Sequence, residues 1–426
     1  MFQGPFSISQ LAIPAVWVLI SFLSFTSQYF FVNFEAVSLR ENELWAINTL
    51  ATCIGICYYR SCTVDPGHVP KDWKSLDHKQ VEVEGVSGRQ RWCRKCEAFK
   101  PPRAHHCRTC GRCIPKMDHH CPWTTNCVSH FTFPHFIRFL FYAVVGMSYL
   151  ESLLFERAST IWASRHLPSY LGPSLGQMAH LFILLVVNSL TVFALFILLV
   201  RNLWSLGGNT TTIESWEIER HKTLLRRARH FGGYLDAPGG VKIHIRKQEF
   251  PYDIGIWGNI KAGMGGSANV LSWFWPFAAT PGRESGLDFE INDFEGPNVT
   301  WPPPDPDRIP LPTPTDRGNA FTVPQVYSSA HEEIEAFNRR RDENLKRVRH
   351  GVVQRRKRFH ERFDSDTRDK SDSEPDNQGD SDGEEAWRNS EGERLHDFGV
   401  DEEIEFYDEE DIPLAVLMQR RRQRRQ

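Results

Sequence analysis

Apolar stretches long enough to cross a lipid bilayer alternate with polar loops in the first half of this 426-residue chain. Four of these stretches are predicted to be transmembrane helices: Leu11–Phe31, Leu44–Tyr59, Phe131–Leu154 and Met178–Leu199. The second stretch is short and lies between Glu43 and Arg60. The third carries Arg138 and Glu151 near its two ends, where long charged side chains can reach polar surroundings. The pattern predicts an all-α integral membrane protein with four transmembrane helices.

The distribution of Lys and Arg predicts the side of the membrane that each loop faces. The loop between the first two spans contains only Arg40, and residues 158–178 contain only Arg165. Residues 60–134, in contrast, contain thirteen Lys or Arg. Basic loops remain on the cytosolic side during insertion. The loop at 60–134 and both termini are therefore predicted to face the cytosol.

Composition changes sharply after the last predicted span. Thr211-x-x-Glu214 is a capping box, which predicts a helix running to about His230. Residues 250–277 form an aromatic, Gly-interrupted cluster that is expected to pack against the membrane or its helices. Residues 295–325 are a Pro-rich linker. The stretch Asp364–Asp411 contains 21 Asp or Glu and only 4 Lys or Arg, so it is expected to be disordered.

These changes divide the chain into predicted segments. Spans one and two fall in 1–62, and spans three and four fall in 131–203. Between them, 63–130 is the loop that carries the chemistry discussed next. A membrane-proximal region at 204–280 precedes a Pro-rich, charged and largely disordered tail at 281–426. The net charge of -3 is uninformative about partners, because acidic and basic residues are segregated along the chain.

Seven of the ten cysteines and four of the seventeen histidines lie between Cys93 and Cys127. Clustered Cys-x2-Cys pairs with nearby histidines are typical of tetrahedral zinc sites. Two zinc ions need eight ligands, and six thiolates with two imidazoles would supply them, which leaves one cysteine over. Cys121 is the natural candidate, since it directly follows Asp118-His119-His120 and belongs to no Cys-x2-Cys pair. Spacing alone leaves open which cysteine is the spare one.

A spare thiol beside an acid and an imidazole has the features of an activated nucleophile. His119 can accept the proton of Cys121, and Asp118 can orient that imidazole. A reducing cytosol would keep such a thiol available, in agreement with the predicted orientation of the loop. The sequence therefore predicts a cysteine enzyme built on a zinc-binding loop.

The motifs of residues 10–260 resemble the Asp-His-His-Cys (DHHC) protein S-acyltransferases, or palmitoyltransferases. They occur in the order of that family: Asp65-Pro66-Gly67, the cysteine-rich spacing, Asp118-His119-His120-Cys121-Pro122-Trp123, Thr211-Thr212-Ile213-Glu214 and Tyr252–Asn259. The layout is most similar to the fungal, endoplasmic-reticulum branch. The resemblance implies transfer of a palmitoyl group from palmitoyl-CoA, through an acyl-Cys121 intermediate, to membrane-proximal cysteines of protein substrates.

The resemblance also implies specific roles for residues of this chain. Two structural zinc ions would be bound, the first by Cys93, Cys96, His106 and Cys113, and the second by Cys107, Cys110, His120 and Cys127. Thr212 would contact Asp118. Two further roles concern the acyl chain. Its path would be lined by Trp123, Phe136 and Phe139. At Gly146, a glycine implies room for a longer chain.

Other protein classes fit the sequence less well. A membrane-anchored RING-type ubiquitin ligase needs a final Cys-x2-Cys pair, and none follows Cys113. An inactive scaffold of the same family would not need Asp118, His119 and Cys121, which are all present. Nucleic-acid binding is not expected, because four predicted membrane spans fit it poorly and the sequence shows no recognition-helix pattern. The expected partners are acyl-CoA, protein substrates and the lipid bilayer.

Overall fold

The structure is a computed structural model. It describes residues 11–34, 39–73, 82–83, 86–87, 91–166, 168, 172–236, 242–292, 294, 301–303, 305–306 and 387–401.

Long helices occupy all four predicted spans. The first is a continuous helical run made of α1 (Ala12–Ser21), a π-helical turn (Phe22–Thr26) and α2 (Ser27–Val32). It is followed by α3 (Glu41–Thr63), α4 (Phe133–Ala163) and α5 (Leu175–Gly207). Among the described helices, three are long and apolar enough to cross a membrane, and α3 is not one of them. Charged residues in its first and last turns, such as Glu43 and Arg60, lower its hydropathy.

The helices pack around an apolar core that α4 organises. It lies against α3 on one side and α5 on the other. Near the end of α4 that is remote from the cysteine-rich loop, Arg157 is fully buried and pairs with Glu43 of α3 at 3.2 Å. Glu151 accepts hydrogen bonds from Asn188 (2.6 Å) and Ser189 (2.7 Å) of α5. Polar groups within the bundle are thus paired across helices, as a low-dielectric interior requires.

The cysteine-rich loop folds as short antiparallel hairpins, so the expected all-α class does not hold for this loop. Successive pairs are β1–β2 (Glu82–Val83, Val86–Ser87), β3–β4 (Trp92–Cys93, Ala98–Phe99), β5–β6 (His105–Cys107, Arg112–Ile114) and β7–β8 (His119–Cys121, Asn126–Val128). Each described strand has two or three residues. Strands this short cannot bury enough apolar surface to be stable alone, so the side chains between hairpins must hold the loop together.

After α5 the chain returns to the loop through α6 (Thr212–Arg229), whose predicted capping box is present. A small hairpin follows, with β9 (Tyr234–Asp236) and β10 (Lys242–His244), and then the short helices α7 (Ile256–Gly263) and α8 (Val270–Phe274). Asn259 of α7 donates to the carbonyl of Gly207 at 2.7 Å and accepts from the N–H of Ile254 at 3.0 Å. It thereby fixes the aromatic segment to the end of α5. The expected packing of this segment against the helices is present, since Arg138 of α4 donates to the carbonyl of Trp273 at 2.8 Å.

Two parts of the acidic tail are described. The chain divides into two compact units, and the second (237–241 and 309–394) is described only at Trp387–Arg394, where Asn389 and Glu393 close a turn. Leu395–Asp401 belongs to the first unit and begins with a 3-10 helix, Leu395–Phe398. Its residues pack against the cysteine-rich hairpins. The stretch expected to be disordered therefore contains an ordered apolar segment, while most of 364–411 lies outside the described residues.

Candidate active site and metal clusters

Two Cys3His groups, each predicted above, are assembled by the hairpins. The first cluster is Cys93, Cys96, His106 and Cys113, and the second cluster is Cys107, Cys110, His120 and Cys127. In each, all four ligand atoms lie within 4.8 Å of one another. In the first cluster, the Nδ1 atom of the histidine lies 3.3, 3.3 and 3.8 Å from the three sulfurs. In the second cluster, the corresponding distances are 3.6, 3.5 and 3.5 Å.

These distances fit a tetrahedral zinc ion. Zinc bonds of about 2.3 Å to sulfur and about 2.0 Å to nitrogen place sulfur and nitrogen ligands about 3.6 Å apart. The donor set of three thiolates and one imidazole is also typical of closed, structural zinc sites. Both clusters could therefore hold a metal ion, and the residues present suit zinc. His105 belongs to neither cluster, in agreement with the ligand choice implied by the resemblance.

Strand register explains how ligands that are distant in sequence meet. In β5–β6, His106 lies directly opposite Cys113, and in β7–β8, His120 lies opposite Cys127. The remaining two ligands of each cluster are the Cys-x2-Cys pair of the preceding hairpin. Each cluster thus joins one hairpin to the next, which supplies the cohesion that such short strands lack.

Alternation along β7 separates the metal cluster from the candidate catalytic group. Successive side chains of a strand point to opposite faces, so His119 and Cys121 lie opposite His120. Nδ1 of His119 lies 2.6 Å from Oδ2 of Asp118, and its ring interacts with the Cys121 thiol. Asp118 and Cys121 are buried, whereas the His119 side chain is 22% exposed. The three residues predicted to carry the chemistry are therefore adjacent, with Cys121 outside both metal clusters.

The electrostatics of this group favour a thiolate. Burial by itself would lower the pKa of His119, but its hydrogen bonds with Asp118 and Cys121 and their negative charges outweigh burial and raise the pKa to about 10. Burial likewise opposes ionisation of Cys121, yet the hydrogen bond and charge of His119, with hydrogen bonds from Thr124, lower the pKa of that thiol. Both shifts favour the pair in its thiolate and imidazolium form.

Contacts from α6 hold Asp118 in place. The backbone N–H of Thr212 donates to Oδ1 of Asp118 at 2.8 Å, and its hydroxyl donates to the Asp118 carbonyl at 2.5 Å. One carboxylate oxygen of Asp118 is thus held by α6 and the other by His119. The contact implied for Thr212 is present in the structure.

A buried ion pair fixes α6 to the hairpins. The guanidinium of Arg103 contacts the carboxylate of Glu214 at 2.6 and 2.7 Å, and both side chains are almost fully buried. Arg103 also donates to the carbonyl of Asn209 at 2.5 Å and lies over the ring of Tyr252. From the sequence, Glu214 was expected only to cap α6, and no role was predicted for Arg103. One arginine among thirteen basic residues of the loop gives no signal, because its partner is more than a hundred residues away.

An apolar cluster extends from Cys121 into the helix bundle. Cys121 packs with Phe136, Leu140 and Val144 of α4 and with Leu199 of α5, and Phe139 lies at the edge of this cluster. The ring of Phe136 also stands edge-on to that of His119, with centroids 6.0 Å apart. Of these residues, Phe136 and Phe139 were predicted from the sequence, and the aliphatic ones were not. Their helical spacing also fits ordinary core packing and carries no separate signal.

Trp123 and Gly146, the other two positions expected to concern the acyl chain, lie in different surroundings. The Trp123 side chain is largely exposed, while its carbonyl accepts a hydrogen bond from Tyr58 of α3 at 2.9 Å. Gly146 of α4 faces α3, and a Cβ there would lie 3.0 Å from Cδ1 of Ile54. The glycine thus lets the two helices approach closely, and its role in chain length stays a prediction.

The fold and site define a membrane-embedded protein with an activated cysteine on a metal-binding module. The model of the DHHC palmitoyltransferase family matches residues 86–219. This chain is 68% identical to palmitoyltransferase pfa4 of Aspergillus fumigatus over 98% of the chain and 99% of that relative. Identity to palmitoyltransferase pfa4 of Emericella nidulans is 65%, over 100% of the chain and 99% of the relative. Identity to palmitoyltransferase PFA4 of Gibberella zeae is 40%, over 97% of the chain and 96% of the relative. The chain belongs to the DHHC palmitoyltransferase family.

Proposed function

We propose that this protein moves a palmitoyl group from palmitoyl-CoA to cysteines of membrane proteins by a two-step mechanism with an acyl-Cys121 intermediate. The observation that carries the proposal is the position of Cys121. Its thiol contacts the His119 imidazole that Asp118 holds, and it also packs against the apolar cluster of α4 and α5. A nucleophile joined to an apolar surface that runs into the bundle suits a substrate with a reactive head and a long alkyl chain.

In the first step, the Cys121 thiolate attacks the thioester carbonyl of palmitoyl-CoA. The new bond joins Sγ of Cys121 to the acyl carbon, and the bond from that carbon to the CoA sulfur breaks, so CoA leaves as a thiol once its sulfur is protonated. The imidazolium of His119 lies beside the sulfur and can give a proton to the leaving group. One thioester replaces another, so positioning matters more than driving force.

In the second step, a cysteine of the protein substrate attacks the acyl-Cys121 thioester. His119, now neutral, takes the proton of the incoming thiol, and Cys121 leaves as the thiolate it was at the start. Asp118 keeps Nδ1 of the imidazole hydrogen-bonded in both steps, because its own orientation is fixed by Thr212. The alkyl chain lies along Phe136, Leu140 and Val144 while it is attached.

Two zinc ions hold the module in its folded form, one in each Cys3His cluster. Both clusters offer four protein ligands, so neither leaves a position for substrate, which supports a structural role. Zinc also explains how a loop of two- and three-residue strands keeps β7 ordered.

The membrane arrangement proposed here has four spans, with α3 as the second. Its 23 residues are long enough to cross, and Arg157 of α4 neutralises Glu43 near one end. The loop and both termini face the cytosol, as the distribution of basic residues predicts. Similarity to the fungal branch supports an endoplasmic reticulum location, where membrane-proximal cysteines of protein substrates are within reach.

The experiment is incubation of purified protein with labelled palmitoyl-CoA, followed by treatment with hydroxylamine, which cleaves thioesters. Label that hydroxylamine removes is expected on the wild type and on a Cys53→Ser control, which changes a cysteine of α3. It is expected to be absent from Cys121→Ser. Label that survives in Cys121→Ser would overturn the assignment of the nucleophile. Wild-type protein that takes up no label would instead favour a scaffold.

A further inference from the structure

A short segment near the C-terminus packs against the hairpins of the cysteine-rich loop, although the two are far apart in sequence. Within Leu395–Asp401, the side chains of Leu395 and Val400 are 1% and 0% exposed, and those of Phe398 and Asp401 are also buried. Three apolar residues within an otherwise acidic run therefore have a docking surface on this chain. Burial of their side chains explains why this part of the tail is ordered. We call Leu395–Asp401 the tail clamp.

One part of the tail clamp binds beside the second cluster. Val400 forms an antiparallel bridge with Cys107, and the N–H of Arg108 donates to the carbonyl of Gly399 at 3.0 Å. Gly399 has a φ of +81°, and a Cβ added to it would lie 2.7 Å from Cβ of His120. A glycine is therefore needed here on two grounds, backbone conformation and close approach to a cluster residue.

The end of the tail clamp binds beside the first cluster. The N–H of Asp401 donates to the carbonyl of His106 at 3.0 Å. Its buried carboxylate lies 2.6 Å from Nζ of Lys95, which stands between Cys93 and Cys96. The tail clamp thus contacts segments that carry ligands of both clusters. Asp401 forms the ion pair, and backbone hydrogen bonds are made at Gly399 and Asp401.

The same segment reaches the elements that position the catalytic group. The 3-10 helix Leu395–Phe398 contacts both β7, which carries His119 and Cys121, and α6, which begins at Thr212. It therefore contacts both of the elements that meet at Asp118. Release of the segment would uncover the edges of both clusters and remove one support of these elements.

We propose that the tail clamp is an internal partner of the zinc module that slows the loss of both metal ions and keeps β7 ordered. The docking surface is the edge formed by Lys95, His106, Cys107 and Arg108, and its occupant is the chain's own tail. A ligand must swing away before a metal ion leaves, so each contact that opposes local opening slows release. The inference rests on the zinc occupancy proposed above.

The decisive comparison uses two glycines of the tail. Gly399→Ala places a methyl group against His120, whereas Gly392→Ala has the same left-handed strain at φ +82° with no atom within 4 Å of the new Cβ. Full-length proteins are purified in detergent, their zinc content is measured, and zinc release to a coloured chelator is followed. Gly399→Ala is expected to release zinc about 5- to 30-fold faster than wild type, the effect of one to two kcal/mol on local opening. Gly392→Ala is expected to match wild type.

A charge reversal tests the ion pair at the other end, whose two side chains are not cluster ligands. Asp401→Lys is expected to accelerate zinc release, and the double variant Asp401→Lys with Lys95→Asp is expected to slow it again. Equal release rates for Gly399→Ala and Gly392→Ala, with no effect of Asp401→Lys, would overturn the clamp even if wild type holds two zinc ions. Wild-type protein that holds no zinc would overturn the zinc occupancy itself, which separates the two failures.

Discussion

Thr212 holds Asp118 by two hydrogen bonds, from its backbone N–H to Oδ1 at 2.8 Å and from its hydroxyl to the carbonyl at 2.5 Å. The two residues lie 94 positions apart, one at the start of α6 and the other just before β7. The carboxylate that orients His119 is therefore positioned from outside the cysteine-rich module.

Removal of the Thr212 hydroxyl should slow catalysis with little effect on the binding of palmitoyl-CoA. Thr212→Val leaves the backbone hydrogen bond in place, so we expect a two- to tenfold fall in the rate of Cys121 acylation, about the worth of one hydrogen bond. Thr212→Ser should restore most of the rate. Thr223→Val is the matched control, because the hydrogen bonds of that hydroxyl, to the Glu219 carbonyl and from Arg226, stay within α6. Equal rates for Thr212→Val and Thr223→Val would contradict this role.

The reactivity of Cys121 should depend on His119. Without its imidazolium, burial raises the pKa of the Cys121 thiol, so the thiolate fraction at neutral pH falls. We expect His119→Gln to lower the rate of Cys121 acylation at pH 7 by about 10²- to 10⁴-fold, the usual contribution of a positioned acid or base. The exposed His230→Gln should behave as wild type. A His119→Gln protein that is acylated at the wild-type rate would show that another group activates the thiol.

Zinc content should follow the division into two clusters. Purified wild type should contain two zinc ions per chain, and Cys113→Ser should lose at least the ion of the first cluster, because a buried three-ligand site binds zinc weakly. Cys62→Ser, which alters a cysteine outside both clusters, should retain two. Elemental analysis of the purified proteins provides the measurement. Full zinc occupancy in Cys113→Ser would rule out that ligand.

The buried pair between Arg103 and Glu214 should be essential for stability. Removal of one partner leaves an uncompensated buried charge, which costs about 3–5 kcal/mol. Arg103→Met should therefore lower the unfolding temperature of the detergent-purified protein strongly. Arg112→Met, which removes an exposed ion pair with Asp65, should cost less than about 1 kcal/mol. Similar losses for the two variants would contradict the structural role of the Arg103 pair.

A large side chain at position 146 should alter acyl-chain preference through the contact between α3 and α4. Because a Cβ at Gly146 would already lie 3.0 Å from Ile54, Gly146→Phe must displace α3, whose Tyr58 ring contacts Phe139 at the edge of the apolar cluster. We expect preference to shift to acyl-CoA chains shorter than palmitoyl. Ile54→Ala, which opens space on the facing helix, should partly restore the wild-type preference. An unchanged preference in competition assays with several acyl-CoA lengths would exclude Gly146 from chain selection.

The sequence was sufficient for the parts of this protein that depend on local patterns. Apolar length identified the helices, and Cys-x2-Cys spacing with nearby histidines identified a stretch with enough ligands for two metal ions, because these residues lie within 35 consecutive positions. The assignment of ligands to each ion came from the family resemblance. The capping box at Thr211 predicted the start of α6 for the same reason. The count of cysteines pointed to Cys121 as the spare one, although the choice of His106 over His105 came from the family resemblance.

Only the tertiary structure decided the contacts between distant segments. No local pattern pairs Arg103 with Glu214, places Ile54 against Gly146 or seats the tail clamp on the metal module. The acidic composition of the tail predicted disorder, because average composition cannot show that three apolar residues find a matching surface some 300 residues away. The chemistry of Cys121 was visible in its neighbours along the chain. What holds those neighbours in position is visible only in the fold.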